Sequence, residues 1–136
     1  MTCAPANLSV GETELTITFD GNERTFDVQV PAAYDNGIPV PLVLDLHGYS
    51  SNKEQQEAMS GWNELAESEG VIVVRPNGYG ALRSWNAGGV CCGSAQSLVL
   101  DDVGLMKAIL AEVTSQAGSA STTSESTPRG CPMVAP

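Results

Sequence analysis

Few residues of this chain could do chemistry. They are one histidine, His47; four cysteines, Cys3, Cys91, Cys92 and Cys131; the adjacent pair Asp101-Asp102; Ser94 within Gly93-Ser94-Ala95; and the aromatic Trp85. A zinc site needs C-x-x-C spacing or several histidines, and neither occurs, so no metal or other cofactor is expected. Cys91 and Cys92 are adjacent and cannot readily bond to each other, whereas either could pair with Cys3 in an oxidising compartment. Buried free thiols are the equal alternative. Asp101-Asp102 has the residue types of a general acid–base pair. Its place at the head of an apolar helical run points instead to capping, since carboxylates suit the positive end of a helix dipole. Trp85 could form an apolar wall for a ligand, or pack its loop onto the domain.

The elements that must position these residues can be read from periodicity. Leu15, Ile17 and Phe19 alternate with polar residues, Asp20-Gly21-Asn22 is turn chemistry, and Phe26, Val28 and Val30 alternate again up to Pro31. This predicts an antiparallel hairpin. Leu42-Val43-Leu44-Asp45-Leu46 and Val71-Ile72-Val73-Val74 are near-continuous apolar runs, as in parallel strands buried on both faces. Between them, a loop over 47–52 leads to a predicted helix over 60–69, capped by Ser60. Trp62, Leu65 and Ala66 form its apolar face, and Gly70 ends it. Strand, helix and strand make a βαβ unit with a right-handed crossover. Residues 76–98 form a long Gly-rich loop carrying Trp85 and the cysteine pair, and a loop that long is usually functional. A second helix starts at Asp101-Asp102, with Val103, Met106, Lys107 and Leu110 at helical spacing. The fold class is therefore α/β.

The chain has 136 residues, which fits one small domain. Asp and Glu outnumber Lys and Arg by 16 to 6, a formal charge of −10. Such a surface repels phosphate backbones and anionic lipid headgroups, so neither nucleic acid nor membrane is an expected partner. No apolar run approaches the roughly 20 residues that span a bilayer. Met1-Thr2-Cys3-Ala4-Pro5 has neither the basic start nor the apolar stretch of a signal peptide. From Thr114 to Pro136 the chain is dominated by Ser, Thr, Gly, Ala and Pro without periodicity, as in a linker or disordered tail.

From Pro41 to Gly48 the chain resembles the polyhydroxybutyrate depolymerase and feruloyl esterase group of α/β-hydrolases, which are secreted serine esterases. Further stretches match in order: Arg24 to Pro31 with Tyr34, Gly61-Trp62-Asn63 with Leu65-Ala66, Val73-Val74-Arg75-Pro76, Ser84-Trp85-Asn86, Cys91-Cys92-Gly93 and Asp101-Asp102-Val103-Gly104. Together they reach nearly to residue 113. The resemblance implies a partial α/β-hydrolase fold, with the hairpin and βαβ unit belonging to its central sheet. It also implies hydrolysis of a carboxylic ester, such as a polyester or a plant cell-wall feruloyl ester, outside the cell. In that chemistry a serine attacks the carbonyl, a histidine held by an acid takes the proton, and backbone N–H groups hold the oxyanion. One of those donors lies on the loop after the third strand. Here that loop is His47-Gly48-Tyr49-Ser50, which makes Gly48 and Tyr49 the expected oxyanion residues, with His47, Trp85 and Asn86 as expected substrate neighbours.

The catalytic residues themselves are missing. No G-x-S-x-G elbow occurs in the chain, Ser94 lacks the closing glycine and precedes the helix, and His47 belongs to the oxyanion loop. Reading the coding triplets of Ser124 to Pro136 displaced by two bases is compatible with R-V-Y-A-T-G-M-S-N-G-G, the elbow strand and nucleophile of the family, placed just after the helix. The expectation is that 1–113 is the N-terminal part of a hydrolase domain, and that 114–136 is a shifted-frame or non-native tail. As given, the chain is expected to be inactive and marginally folded, with an unpaired edge on the Leu42–Leu46 strand prone to self-association. The alternatives are a non-catalytic polysaccharide- or aromatic-ester-binding module, and a half that pairs with a separate C-terminal fragment.

Overall fold

The computed structural model describes residues 8–34, 40–89, 93–116 and 134–135. The hairpin forms as its alternation requires: β1 (Gly11–Phe19) pairs with β2 (Asn22–Val30) from Gly11↔Val30 to Phe19↔Asn22. Its two-residue loop has Asp20 at φ 50 and Gly21 at φ 78, both positive, as the tightest right-twisted hairpin turn demands.

The apolar runs become β3 (Val40–Leu44) and β4 (Ile72–Pro76), and these two strands are parallel. Both are shifted from the sequence expectation: β3 begins and ends two residues early, while β4 extends to Pro76. The hairpin joins the same sheet through β2, antiparallel to β4 with Val28 opposite Val74. The sheet is thus mixed, in the order β1-β2-β4-β3-β5, where β5 is Val134–Ala135 beside Val40 and Pro41. Two residues of the segment expected to lack structure therefore form a strand, and it pairs with Val40 and Pro41, ahead of the Leu42–Leu46 edge expected to be bare.

Between β3 and β4 stand two helices rather than one, α1 (Lys53–Ser60) and α2 (Trp62–Glu69). Ser60 closes α1 instead of capping a helix, and Gly61 at φ 70 breaks the chain direction between them. The α1 sequence KEQQEAMS has no apolar stripe, so periodicity could not find it. Its start is marked instead by Asn52, whose side chain accepts from Gln55 N at 2.7 Å. On α2, Ala66 is buried as expected, but Leu65 is exposed. The Gly70 N–H closes α2 on Ala66 O at 2.9 Å, as expected of a left-handed stop.

The long loop contains a short helix, α3 (Ser94–Ser97), and an isolated bridge between Tyr79 and Ser84. The last helix, α4 (Asp102–Gln116), runs three residues past the expected boundary at 113. Its buried stripe is Leu105, Ile109 and Val113, flanked by Met106 and Leu110, whereas Val103 points away and is exposed.

Strand pleating sends alternate residues to opposite faces and so makes two cores. Phe26, Val28, Val30, Leu42, Ile72 and Val74 pack with the α4 stripe on one face. Val73 packs with Val71, Ala66 and Trp62 on the other. Helices thus pack on both faces of the sheet, chiefly against β2 and β4, while on β3 only Leu42 is buried.

Candidate functional site

The C-terminal ends of β3 and β4 point to the same rim of the sheet, where α/β folds generally place ligands. The Asp45 N–H donates to Val74 O at 2.9 Å and carries the β3–β4 pairing one residue further. His47 then turns inward and is buried. Its Nε2 accepts the Gly78 N–H at 2.8 Å, which puts the ring proton on Nδ1, 2.7 Å from the carbonyl of Gly48 that accepts it. The His47 carbonyl accepts from Trp85 Nε1 at 2.9 Å, and the two rings lie 5.1 Å apart at 39°.

Beyond this anchor the chain turns sharply. Ser51 N donates to Gly48 O at 3.1 Å, and Ser50 sits at φ 62. A left-handed serine costs on the order of 1 kcal/mol, which the anchored turn sustains. Among the described residues nothing accepts from the Tyr49 N–H. A Cβ added to Gly48 would meet no atom within 4 Å, so the backbone at Gly48-Tyr49 is open to an approaching group. The Tyr49 ring lies against Gly93, and the residue as a whole is exposed.

Trp85 is half-buried and contributes to the α4-side core. Asn86 spends its polar groups within the fold: its N–H donates to Asp102 Oδ2 at 2.6 Å and its Nδ2 to Leu100 O at 2.9 Å. The aspartate pair divides its work. Asp101 Oδ1 accepts from Gly104 N at 2.9 Å as the expected cap, and Asp102 holds Asn86 and lies 3.8 Å from Arg24 Nη1. Ser94 is the first residue of α3. The cysteines Cys3, Cys91, Cys92 and Cys131 lie outside the described residues, as does the pairing expected for them.

Sequence reading missed a charged row on the α1 side of the sheet. Glu14, Asp27 and Arg75 are direct register partners across β1, β2 and β4. Lys53, buried at the start of α1, bonds Asp27 at 2.8 Å, Glu14 at 2.7 Å and Glu54 at 2.9 Å. Burial opposes the Lys53 charge, but hydrogen bonds to those carboxylates outweigh it and hold its ammonium above the usual lysine range. Burial also raises the Asp27 carboxyl, against the pull of Lys53. Arg75, fully buried, donates from Nε to Asp45 Oδ2 at 3.1 Å and from Nη2 to Asn63 Oδ1. Asp45 also accepts from Gln56 Nε2 and Ser60 Oγ, each at 2.7 Å. These bonds fix α1 and α2 relative to β3 and hence fix the loop that follows β3. The available signal was a charge placed inside an otherwise apolar run: Asp27 between Phe26 and Val28, Asp45 before Leu46, and Arg75 after Val74. Among the described residues, no group of three or more His, Cys, Asp or Glu is placed to hold a metal ion.

Comparison with known proteins bears on the fold. No family model matches the chain. Over 63 residues it is 35% identical to the bifunctional acetylxylan esterase/xylanase XynS20E of Neocallimastix patriciarum, which covers 46% of this chain and 9% of that protein. Its fold matches the crystal structure of LpqC, a poly(3-hydroxybutyrate) depolymerase of Bordetella parapertussis, with a TM-score of 0.58 at 16% identity. That match covers 80% of this chain and 39% of LpqC. The chain therefore has part of an α/β-hydrolase fold and spans well under half the length of either protein. No helix among the described residues is long and apolar enough to cross a membrane.

Proposed function

We propose that residues 1–113 are the N-terminal part of the catalytic domain of a serine-type carboxylic-ester hydrolase, and that their chemical contribution is an oxyanion-holding turn. The observation that carries this reading is the Gly48–Ser51 turn, whose Tyr49 N–H has no acceptor among the described residues, anchored from behind by His47 to Gly78 and Trp85. An N–H preorganised in this way stabilises the tetrahedral oxyanion without having to reorient during the reaction. The roles that follow are Tyr49 N–H as donor, Gly48 as the opening for the carbonyl, and His47 as the residue that positions both. Trp85 and Asn86 hold the loops around the site. Their polar atoms are spent on His47, Asp102 and Leu100, which favours this role over a ligand-binding platform. The substrate class is a polyester, or an acyl or feruloyl ester of plant cell-wall polysaccharide, met outside the cell.

The attacking serine, its histidine and its acid lie outside 1–113, and the displaced reading of 124–136 supplies the start of the elbow. DNA sequencing through and past codon 136, followed by expression of the restored frame with its downstream sequence, tests both parts. The restored protein is expected to hydrolyse p-nitrophenyl acetate and to be blocked by a serine-directed phosphonate, while the 136-residue chain does neither. Replacing Tyr49 by Pro in the restored protein removes the donor and should lower kcat by about 10²–10³-fold. Phosphonate-sensitive turnover by the 136-residue chain alone would overturn the assignment.

A further inference from the structure

On the same rim, between β2 and β4, lies a cavity of about 260 Å³ that the oxyanion turn does not use. Its lining is polar, with Arg24 and Arg83 as its cations and Asn77, Tyr79 and Thr25 beside them; exposed Glu23 is its one carboxylate. Six cations serve a chain of charge −10. Lys53 and Arg75 are consumed in buried ion pairs, yet two of the remaining four converge here. Arg24 is 6% exposed, donates from Nη2 to Asn77 O at 3.2 Å, and lies 5.9 Å over the Tyr79 ring, so it is held in place before any ligand arrives. Its charge is partly balanced by Asp102. Arg83 is not balanced in this way. Among the described residues its guanidinium has neither hydrogen bond nor ion pair, and it acts only at a distance on Glu54, whose first partner is Lys53. A half-buried cation of this kind favours an incoming anion more than an exposed one would, because solvent screens it less.

We propose that this cavity is a carboxylate-binding subsite, with Arg83 as its principal cation and Arg24 as its fixed floor. The proposal deepens the esterase reading and rests on it: the favoured substrate is an ester that carries a free carboxylate, such as a dicarboxylic half-ester or an acid-terminated hydroxyacyl oligomer. Gly78 joins the two sites, since it lines the cavity and its N–H holds His47 ahead of the turn. A planar guanidinium matches the two oxygens of a carboxylate, and the neutral diester lacks the charge that would draw it in.

Titration of the ¹⁵N-labelled 136-residue chain with monomethyl succinate, dimethyl succinate and acetate tests this by nuclear magnetic resonance. The half-ester is expected to move the Gly78, Gly80 and Arg83 signals, and dimethyl succinate to leave them in place. Arg83→Gln should weaken half-ester binding about tenfold and Arg83→Lys less, with the Val74 and Ile109 amides unmoved as a check on folding. Tighter binding of the half-ester than of acetate marks the carboxylate as part of an ester substrate, and equal binding marks it as a free acid product; either supports the subsite. Equal movement of the cavity signals by dimethyl succinate, no response to the half-ester at tens of millimolar, or an Arg83→Gln variant that binds unchanged would each overturn it. The Tyr49 amide reports separately on the ester reading. If neutral dimethyl succinate never moves it while the cavity responds to carboxylate, the oxyanion assignment fails and the anion site stands.

Discussion

The Gly78 N–H donates to His47 Nε2 at 2.8 Å, and this buried bond ties the loop after β4 to the loop after β3. It gives the ring a fixed tautomer and makes the sole histidine a brace behind the turn rather than a reacting group facing it. His47→Ala would leave the Gly78 donor buried without a partner and release Gly48 O. The unpaired donor alone should cost about 1–3 kcal/mol, read as a lower urea midpoint. The amides of residues 48–51 should lose hydrogen-exchange protection at the same time. A midpoint within about 0.5 kcal/mol of the parent would show that the brace is absent in solution.

Lys53 and Asp27 make a buried ion pair on the α1 side, 2.8 Å apart with side chains 5% and 4% exposed. Lys53→Met strands Asp27 in the interior, which should cost about 3–5 kcal/mol, enough to unfold much of the population of a small domain. Adding Asp27→Leu should recover most of that loss. Circular dichroism of the single and double variants in urea checks this, and a double variant no more stable than the single one would contradict it.

Glu12 carries a testable pH dependence. Burial, reinforced by Glu57 and Asp27, holds its carboxyl above the ordinary value of 4.5. A carboxyl raised in the folded state favours folding fully below its unfolded pKa, and that advantage is lost as pH rises through the folded value. Glu12→Gln should therefore be no more stable than the parent near pH 3.5 and more stable above about pH 6. Parallel denaturation curves for the two proteins across that range would refute the shift. Lys53 has the same sign on the alkaline side: its contribution is complete below its ordinary 10.5 and lost as pH rises past its raised folded value.

Gly93 links the Tyr49 ring to the long loop. It sits at φ 78, and an added Cβ would stand 2.8 Å from Tyr49 Cε2 and 3.1 Å from Ser84 Cβ. Gly93→Ala should destabilise by about 1 kcal/mol through backbone strain and push the Tyr49 ring aside. Shifted Tyr49 ring resonances together with a lowered melting temperature are the expected readout. Unchanged resonances would place the ring elsewhere.

The sequence by itself determined the parts of this protein that depend on local periodicity and turn chemistry. The hairpin follows from Leu15, Ile17 and Phe19 against Phe26, Val28 and Val30, with Asp20-Gly21 supplying the positive φ. The parallel pair follows from two short apolar runs around a helix. The likeness to an α/β-hydrolase fold was also legible, because the ordered motifs lie in the chain itself, and so was the existence of a loop after the Leu42–Leu46 run. Tertiary structure decided the rest, for reasons no local pattern carries. The polar helix α1 exists because Lys53 reaches a buried carboxylate two strands away, not because of any apolar stripe. On α4, Leu105, Ile109 and Val113 face inward and Val103 outward because the sheet sits on one side only, and the phase of a helix is set by what it packs against. The role of His47 depended on Gly78 and Trp85, 31 and 38 residues further on. Contacts at that separation are made only when the sheet brings its strand ends to one rim.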